Sequence, residues 1–495
     1  MPETRQEKGR FPMQLTELDH QGLIEKTRQD FAPFYDRLRW ITPADAQRFD
    51  RERRELLDAL SLQAFFTFNR TKPYTRRLSP GCRLCGEGSW SCLFINNVCN
   101  AQCFYCPSEQ QTVDEPGTNT LTFRRPEEYV DYLEYFGFTG ASISGGEPFM
   151  TFDKTLSFAA AIKRHFQDRI YLWLYTNGIL AAPDKLAQLR DAGLDEIRFN
   201  IGAADFSLEH VQRAVGVIPC VTIEIPAVPE RADLLTRLIP EMRERGVDYL
   251  NLHQIRCTAF NHSRLASRGY TFVHGPFSGV AESELAALRL IEYTTGEGID
   301  LGVNYCSLIY RHRFQARAFR HRWARHLKKE YEDITGTGMI RSMSAAAEPA
   351  VLQRIRVVCA AGQGDGASFL ERQGRLFFSR ALMDRVAGIG KDLRVSYHFP
   401  LIHPGVTYRN TFREIRLGSG KTVVLERTPM APDIALSSEE GAAFRALTGT
   451  DTAFPDDLDA LFRLFPGIGR TPEAEGRWKA ILQAERLRSG LLEYY

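Results

Sequence analysis

From residue 91 to 255 the chain alternates short apolar runs with longer segments that place apolar residues at every third or fourth position. The runs "SCLFIN", "GASISG", "RIYLWLYTNG", "LDEIRFNIG", "CVTIEIPAV" and "VDYLNLHQI" read as six strands. Between them, "RPEEYVDYLEYFGF", "FDKTLSFAAAIKRHF", "APDKLAQLRDAG", "SLEHVQRAV" and "RADLLTRLIPEMRERG" read as amphipathic helices. This alternation predicts an α/β core, a parallel sheet with helices packed outside, either open or an incomplete barrel. In both architectures ligands bind at the carboxyl ends of the strands.

The flanks are patterned differently. Residues 1–80 read as a helical region, with "TPADAQRFDRERRELLDALSLQAFF" opening on a Thr42 cap and Pro43 in the first turn. Residues 81–255 form the core, and 256–344 an extension with one helix and the strand-like "IDLGVNYCSLIY". From 345 to 495 an α+β domain is expected, with hairpins at "SFLERQGRLFFS" and "FREIRLGSGKTVVLERT" and helices in the last 55 residues.

A chain of 495 residues is long enough for two or three domains. Its formal net charge of +2 excludes a global polyelectrolyte, so nucleic-acid binding would need a local basic surface. The N-terminus lacks a signal-like apolar run and no window approaches a membrane span, which predicts a soluble, cytoplasmic protein without membrane contact.

Six of the ten cysteines (Cys82, Cys85, Cys92, Cys99, Cys103 and Cys106) fall within 25 residues. Such clustering points to metal binding or catalysis. Cys99, Cys103 and Cys106 are spaced C-x3-C-x2-C on the loop after the first strand. Three soft thiolates suit three corners of an iron–sulfur cubane and leave one iron open; a zinc knuckle lacking its fourth ligand is the plainer alternative.

This loop, with Tyr105 just before its third cysteine, resembles the signature of the radical SAM superfamily. "SISGGEPFM" strengthens the resemblance by placing Gly145, Gly146, Glu147 and Pro148 at the end of the second strand. The group it is nearest in appearance is that of pyruvate formate-lyase activating enzyme. The resemblance implies a partial (β/α)6 barrel in which Cys99, Cys103 and Cys106 hold a 4Fe-4S cluster and the Gly-Gly-Glu-Pro element receives the amino group of S-adenosylmethionine. It further implies reductive cleavage to a 5′-deoxyadenosyl radical that abstracts hydrogen from substrate, and an electron donor such as flavodoxin or ferredoxin. By the same resemblance Tyr105 lies near the adenine, and Asn177 and Asn200 reach the methionyl carboxylate or ribose. Glu224 is a further candidate on the fifth strand.

Upstream, "SPGCRLCGEGSWSC" offers Cys82, Cys85 and Cys92 as a second candidate site for zinc or iron, completed by a distant ligand such as Cys306 or Cys359. A redox pair or ordinary thiols at Cys82 and Cys85 is the alternative. The segment 311–329, "RHRFQARAFRHRWARHLKK", holds eight Arg or Lys, three His and no acid. It predicts an amphipathic helix with Phe314, Ala318, Trp323 and Leu327 on the apolar side. Its basic face reads as an RNA contact or as a surface neutralised by Glu330, Glu332 and Asp333, with the latter favoured. "LGSGKTVVLE" lacks the first glycine and the helix of a phosphate loop and reads as a hairpin turn; "GQGDGASFL" reads as a loop.

The sequence thus predicts a radical SAM enzyme with no assigned catalytic residue, acting on a peptide or protein in preference to a small metabolite. RNA or tRNA modification, methyl transfer and a non-catalytic zinc-binding interaction protein are the competing readings. Cys257, Tyr305 and Cys306 are candidates to quench a substrate radical.

Overall fold

A computed structural model describes residues 20–112, 115–361, 368–386, 388–389, 392–449 and 454–494. The chain divides into two compact units, one of residues 20–316 with 416–421 and 489 onward, the other of 317–415 with 422–488. No helix among the described residues is long and apolar enough to cross a membrane.

All six expected strands form: β1 (Trp90–Phe94), β2 (Gly140–Ser144), β3 (Tyr171–Thr176), β4 (Glu196–Phe199), β5 (Cys220–Pro226) and β6 (Tyr249–His253). They lie side by side in chain order and are parallel throughout. A seventh parallel strand, β7 (Gly302–Cys306), follows β6, so the strand placed in an extension belongs to the same sheet. Lys72–Tyr74 then joins β7 antiparallel and pairs with Phe65–Thr67. The N-terminal segment is therefore part of this unit: helix Pro43–Gln63 packs on helix Ala281–Gly296, with Arg53 Nη1 3.2 Å from Glu284 Oε1. Thr42 caps the former helix by accepting from Asp45 N at 3.1 Å.

The apolar runs arise because both faces of the sheet are covered. Leu93, Ile143, Leu174, Ile197, Ile223, Leu250 and Val303 are all fully buried. The flanking helices contribute Leu133, Phe158, Ile162, Leu235 and Ile239 at helical spacing. Alternate residues of the central strands are polar and also buried: Glu196, Arg198, Thr222, Asn251 and Asn304. Register sets Arg198 beside Thr222, Glu224 beside Asn251, and Asn251 beside Asn304, so these side chains share one face, where Arg198 and Asn251 bond Glu224 and Asn304 bonds Asn251.

In the other unit an antiparallel sheet contains both expected hairpins, Phe369–Arg372 with Arg375–Phe378 and Thr411–Arg416 with Thr422–Pro429. The boundary expected near 345 falls inside strand Ile340–Ala346, whose partners lie on both sides of it. The units divide at Arg317 instead. The segment read as a phosphate-loop decoy is a strand–turn–strand, whereas "GQGDGASFL" begins in residues outside those described.

The basic segment is helical, with a wide π turn at Arg311–Gln315 followed by helix Ala316–Leu327. Phe314, Trp323 and Leu327 are buried as expected. Of the acids expected to neutralise it, Glu332 reaches Lys329 of the segment, but Glu332 and Asp333 form their closest ion pairs elsewhere. Glu332 is gripped by Arg427 at 2.7 and 2.8 Å, and Asp333 pairs with Arg341 at 3.2 Å. Buried Arg313 and Arg320 donate instead to the carbonyls of Gly490 and Thr337. An arginine that replaces backbone partners inside a fold is not a phosphate-facing charge, so the feature that motivated the RNA reading is partly absorbed by structure.

Candidate functional site

The carboxyl ends of the strands open into a cavity of about 340 Å³. Cys99, Cys103, Cys106, Tyr105, Gly145, Gly146, Glu147, Asn177, Asn200 and Glu224 all line it. Of the site residues expected from sequence in this region, Pro148 is the exception. It is buried and begins the 3-10 turn Pro148–Thr151, its carbonyl accepting from Thr155 Oγ1 at 2.9 Å. A proline suits that first-turn position because it has no N–H to satisfy.

The cysteine loop is held by groups that sequence patterning does not single out. Arg264 donates to the carbonyls of Cys103 (3.2 Å) and Cys106 (3.4 Å). Asn261 Nδ2 donates to Tyr105 O at 3.0 Å, and Thr258 Oγ1 to Pro107 O at 3.0 Å. The loop after β6 thus braces the loop after β1. Among the thiols, Cys99 receives Asn177 Nδ2 at 3.7 Å and Cys106 receives Gln110 Nε2 at 2.9 Å. Burial pushes the Cys99 and Cys103 thiols up from their ordinary values. Among the described residues no three His, Cys, Asp or Glu side chains converge to hold one ion. Three soft thiols lining one cavity suit a cubane, in which each would bind its own iron.

The second strand end approaches the first through glycine. Gly145 has φ +146°, a conformation costly for other residues, and a Cβ there would lie 2.6 Å from Asn96 O. At Gly146 it would lie 1.9 Å from Val98 O. Asn96, buried at the end of β1, ties the two together: its Oδ1 accepts from Gly146 N (3.1 Å) and its Nδ2 donates to Glu147 O (2.9 Å).

Glu147 is 1% exposed, and burial raises its pKa against three donors that favour the charge. Oε1 accepts from Phe149 N (3.0 Å) and Thr176 Oγ1 (2.8 Å); Oε2 accepts from Asn177 N (2.7 Å). The carboxylate therefore clamps the ends of β2 and β3. Glu147→Gln turns one acceptor into an NH2 group facing an N–H or O–H donor. A loss of about 1–3 kcal/mol is expected, read as a lower urea midpoint with unchanged slope; a wild-type midpoint rejects the clamp.

Across the cavity, Tyr105 Oη donates to Asn200 Oδ1 at 2.9 Å. Glu224 accepts from Arg198 Nη1 (2.7 Å), Asn251 Nδ2 (2.9 Å) and His253 Nε2 (2.5 Å). Burial raises its pKa, but the charges of Arg198 and His253 outweigh that and hold it far below the carboxylate range. Arg198 also meets Glu196 at 2.8 Å. This makes Glu224 part of a buried ion network, a role its strand position alone does not reveal.

Cys82, Cys85 and Cys92 are not gathered as a ligand set. Cys82 and Cys85 lie on helix Pro80–Glu87, capped by Ser79, where a metal-binding turn was expected. Cys82 Sγ faces Arg198 Nη1 at 3.8 Å, and Cys85 Sγ receives Gln315 Nε2 at 2.6 Å. Cys92 sits on β1, its thiol pushed up to about 12 chiefly by burial. Cys85 also lies within electrostatic reach of Cys82 and Cys306, and Cys92 of Cys85, but among the described residues no three of these side chains converge on one ion.

A family model described as the radical SAM superfamily matches residues 93–219. A Methanocaldococcus jannaschii protein named as a proposed glycyl-radical enzyme activating enzyme is 28% identical over 276 residues, 53% of this chain and 72% of that one. A proposed GTP 3′,8-cyclase of Methanococcus aeolicus is 36% identical over 113 residues, 22% of this chain and 36% of that one. Among solved structures, Streptococcus suis SuiB bound to S-adenosylmethionine matches with 12% identity and a TM-score of 0.31, over 43% of this chain and 49% of SuiB. SuiB bound to its precursor peptide SuiA matches with 13% identity and a TM-score of 0.33, over 53% and 62%. The chain spans less than two thirds of either solved chain.

Proposed function

Because this chain belongs to the radical SAM superfamily, we propose that it cleaves S-adenosylmethionine reductively and abstracts a hydrogen atom from a peptide or protein. The observation that carries the reading is that the three cysteines of one loop and the Gly145–Gly146–Glu147 turn of the next strand line one cavity. The donor set fits the cofactors. Soft thiolates suit iron, and the close glycine backbone beside a buried carboxylate suits an ammonium group.

When bound, a 4Fe-4S cluster and S-adenosylmethionine supply a 5′-deoxyadenosyl radical. The chain's own residues do the rest. Cys99, Cys103 and Cys106 anchor iron, and Arg264 and Asn261 fix their loop. Gly145, Gly146 and Glu147 shape the seat for the amino group, with Pro148 turning the chain behind it. Asn177 and the Tyr105–Asn200 pair line the ribose and adenine side. Residues at the ends of β1 to β6 and in the loops after them, with Arg311 beyond β7, wall the cavity in which that species would act.

A macromolecular substrate is supported by apolar side chains exposed at these strand ends. Phe94, Met150, Ile179, Leu180 and Phe260 are 53, 45, 37, 36 and 51% exposed, on segments ending or following β1, β2, β3 and β6. Exposed apolar groups on segments at the carboxyl ends of the strands suit a docking protein or peptide. The Methanocaldococcus relative is named for activating a protein. An electron donor of the flavodoxin or ferredoxin kind completes the proposed reaction.

The test is anaerobic incubation of the iron-loaded protein with S-adenosylmethionine and dithionite. 5′-Deoxyadenosine is expected, rising when the correct peptide or protein is supplied and not when RNA is. No deoxyadenosine from fully loaded protein rejects the cleavage reading. Isotope from the methyl group appearing in product instead replaces it with methyl transfer.

A further inference from the structure

The cavity is not uniform in charge from one side to the other. At the β2 side the Glu147 carboxylate meets only neutral donors. Four strands away along the sheet, past β6 and β7, Arg256 and Arg311 line the same cavity. Arg256 is exposed there, its guanidinium 4.5 Å from the centre of the Phe277 ring. None of its described contacts is an ion pair with a carboxylate. Arg311 lies on the π turn, a distortion that is frequent at functional sites. It bonds His253 Nδ1, the nitrogen opposite the one bound to Glu224, and it faces the Cys306 thiol. Its buried Nε–H has no partner.

Nearby anions are already committed: Asp30, whose charge acts on Arg256, pairs with Lys26. Glu224 is shared by Arg198, Asn251 and His253, while Lys72 as well as Arg311 acts on Cys306. Partial desolvation of an otherwise exposed side chain, and then the charge of Arg311, lower the pKa of Arg256, so the two cations repel each other. Two guanidiniums lining one cavity, one with an unpartnered Nε–H and neither hydrogen-bonded to a carboxylate among its described contacts, are an arrangement that a bound oxyanion relieves.

We propose that Arg256 and Arg311 form the binding site for an oxyanion of the substrate, a carboxylate or phosphoryl group, at the β6–β7 end of the cavity. The assignment rests on the proposed function only in taking that ligand as substrate. On a peptide the group is an acidic side chain, a C-terminal carboxylate or a phosphorylated residue. The two arginines then orient the substrate with its reacting carbon toward the cysteine-loop side.

The experiment is calorimetric titration of the iron-loaded full-length protein with succinate and, separately, inorganic phosphate, with and without S-adenosylmethionine. Wild type is expected to bind at least one probe in the millimolar range or tighter, with affinity reduced at least about tenfold in Arg256→Gln and Arg311→Lys. The preferred probe distinguishes the carboxylate from the phosphoryl source. Arg256 is exposed, so Arg256→Gln tests the site even if Arg311→Lys unfolds, and a melting curve verifies each variant. Equal binding by wild type and Arg256→Gln overturns the proposal, as does no binding below about 20 mM. Competition between probe and S-adenosylmethionine also overturns it, because the arginines would then hold the donor's own carboxylate. Retention of S-adenosylmethionine by wild type is measured alongside. Its loss rejects the proposed function by itself, whereas oxyanion binding is decided by the arginine variants.

Discussion

Cys106→Ala is expected to bring the iron of anaerobically purified protein from about four atoms per chain to below about one, and to abolish 5′-deoxyadenosine formation. The expectation follows from how the loop is built. Arg264 and Asn261 grip its carbonyls, and Cys106 N donates to Cys103 O at 3.0 Å, so the thiols are presented by a braced backbone. Removing one sulfur leaves the brace intact but deprives one iron of its anchor. The same substitution at Cys99 or Cys103 should behave alike. Cys82→Ala should not, since Cys82 faces Arg198 and Asn304 in the strand network and does not line the cavity. Iron and visible absorbance measured on the four variants therefore separate a three-cysteine cluster from a six-cysteine zinc site. Equal metal loss from Cys82→Ala and Cys106→Ala would reject the assignment.

The cysteine loop and the Gly-Gly-Glu turn were legible because each is a local motif whose position at a strand end follows from periodicity. The six parallel strands were legible for the same reason, since covered strands carry unbroken apolar runs. What escaped depends on contacts distant in sequence. β7 reads as a strand, but nothing local reveals that it continues the sheet beside β6. Lys72–Tyr74 is too short and too polar to declare itself, and Lys72 is buried over the Tyr310 ring at 4.5 Å. Helix Pro80–Glu87 did carry a signal, a Ser79 cap before Pro80, which the cysteine pair overshadowed. Asn96, Asn261 and Arg264 are ordinary polar residues until the fold sets them against the two loops. The arginines of the basic helix show the converse. Charge counting treats them alike, yet Arg313 and Arg320 are interior donors.

Gly146→Ala tests whether the approach of two strand ends creates the seat for the methionyl amine. The added carbon would stand 1.9 Å from Val98 O and 2.7 Å from Val98 N. Both are backbone atoms, so no side-chain rotation relieves the clash. Either the segment preceding Cys99 moves away, or the turn at Gly145–Glu147 does. Each movement disturbs bonds that join them: Gly146 N to Asn96 O at 3.2 Å and Glu147 N to Val98 O at 2.7 Å. Forced overpacking of this kind costs about 1–3 kcal/mol in stability. Function should suffer more than stability, because Val98 adjoins Cys99, the first of the cysteines proposed to anchor iron, and Gly146 lines the cavity. Equilibrium dialysis of the iron-loaded variant should show S-adenosylmethionine affinity reduced more than about tenfold, at least 1.4 kcal/mol. Gly269→Ala, where the added carbon meets nothing within 4 Å but φ is +71°, supplies the comparison: it should lose some stability through backbone strain while keeping cofactor affinity. If the two variants bind S-adenosylmethionine equally well, contact between the strand ends is only a matter of packing.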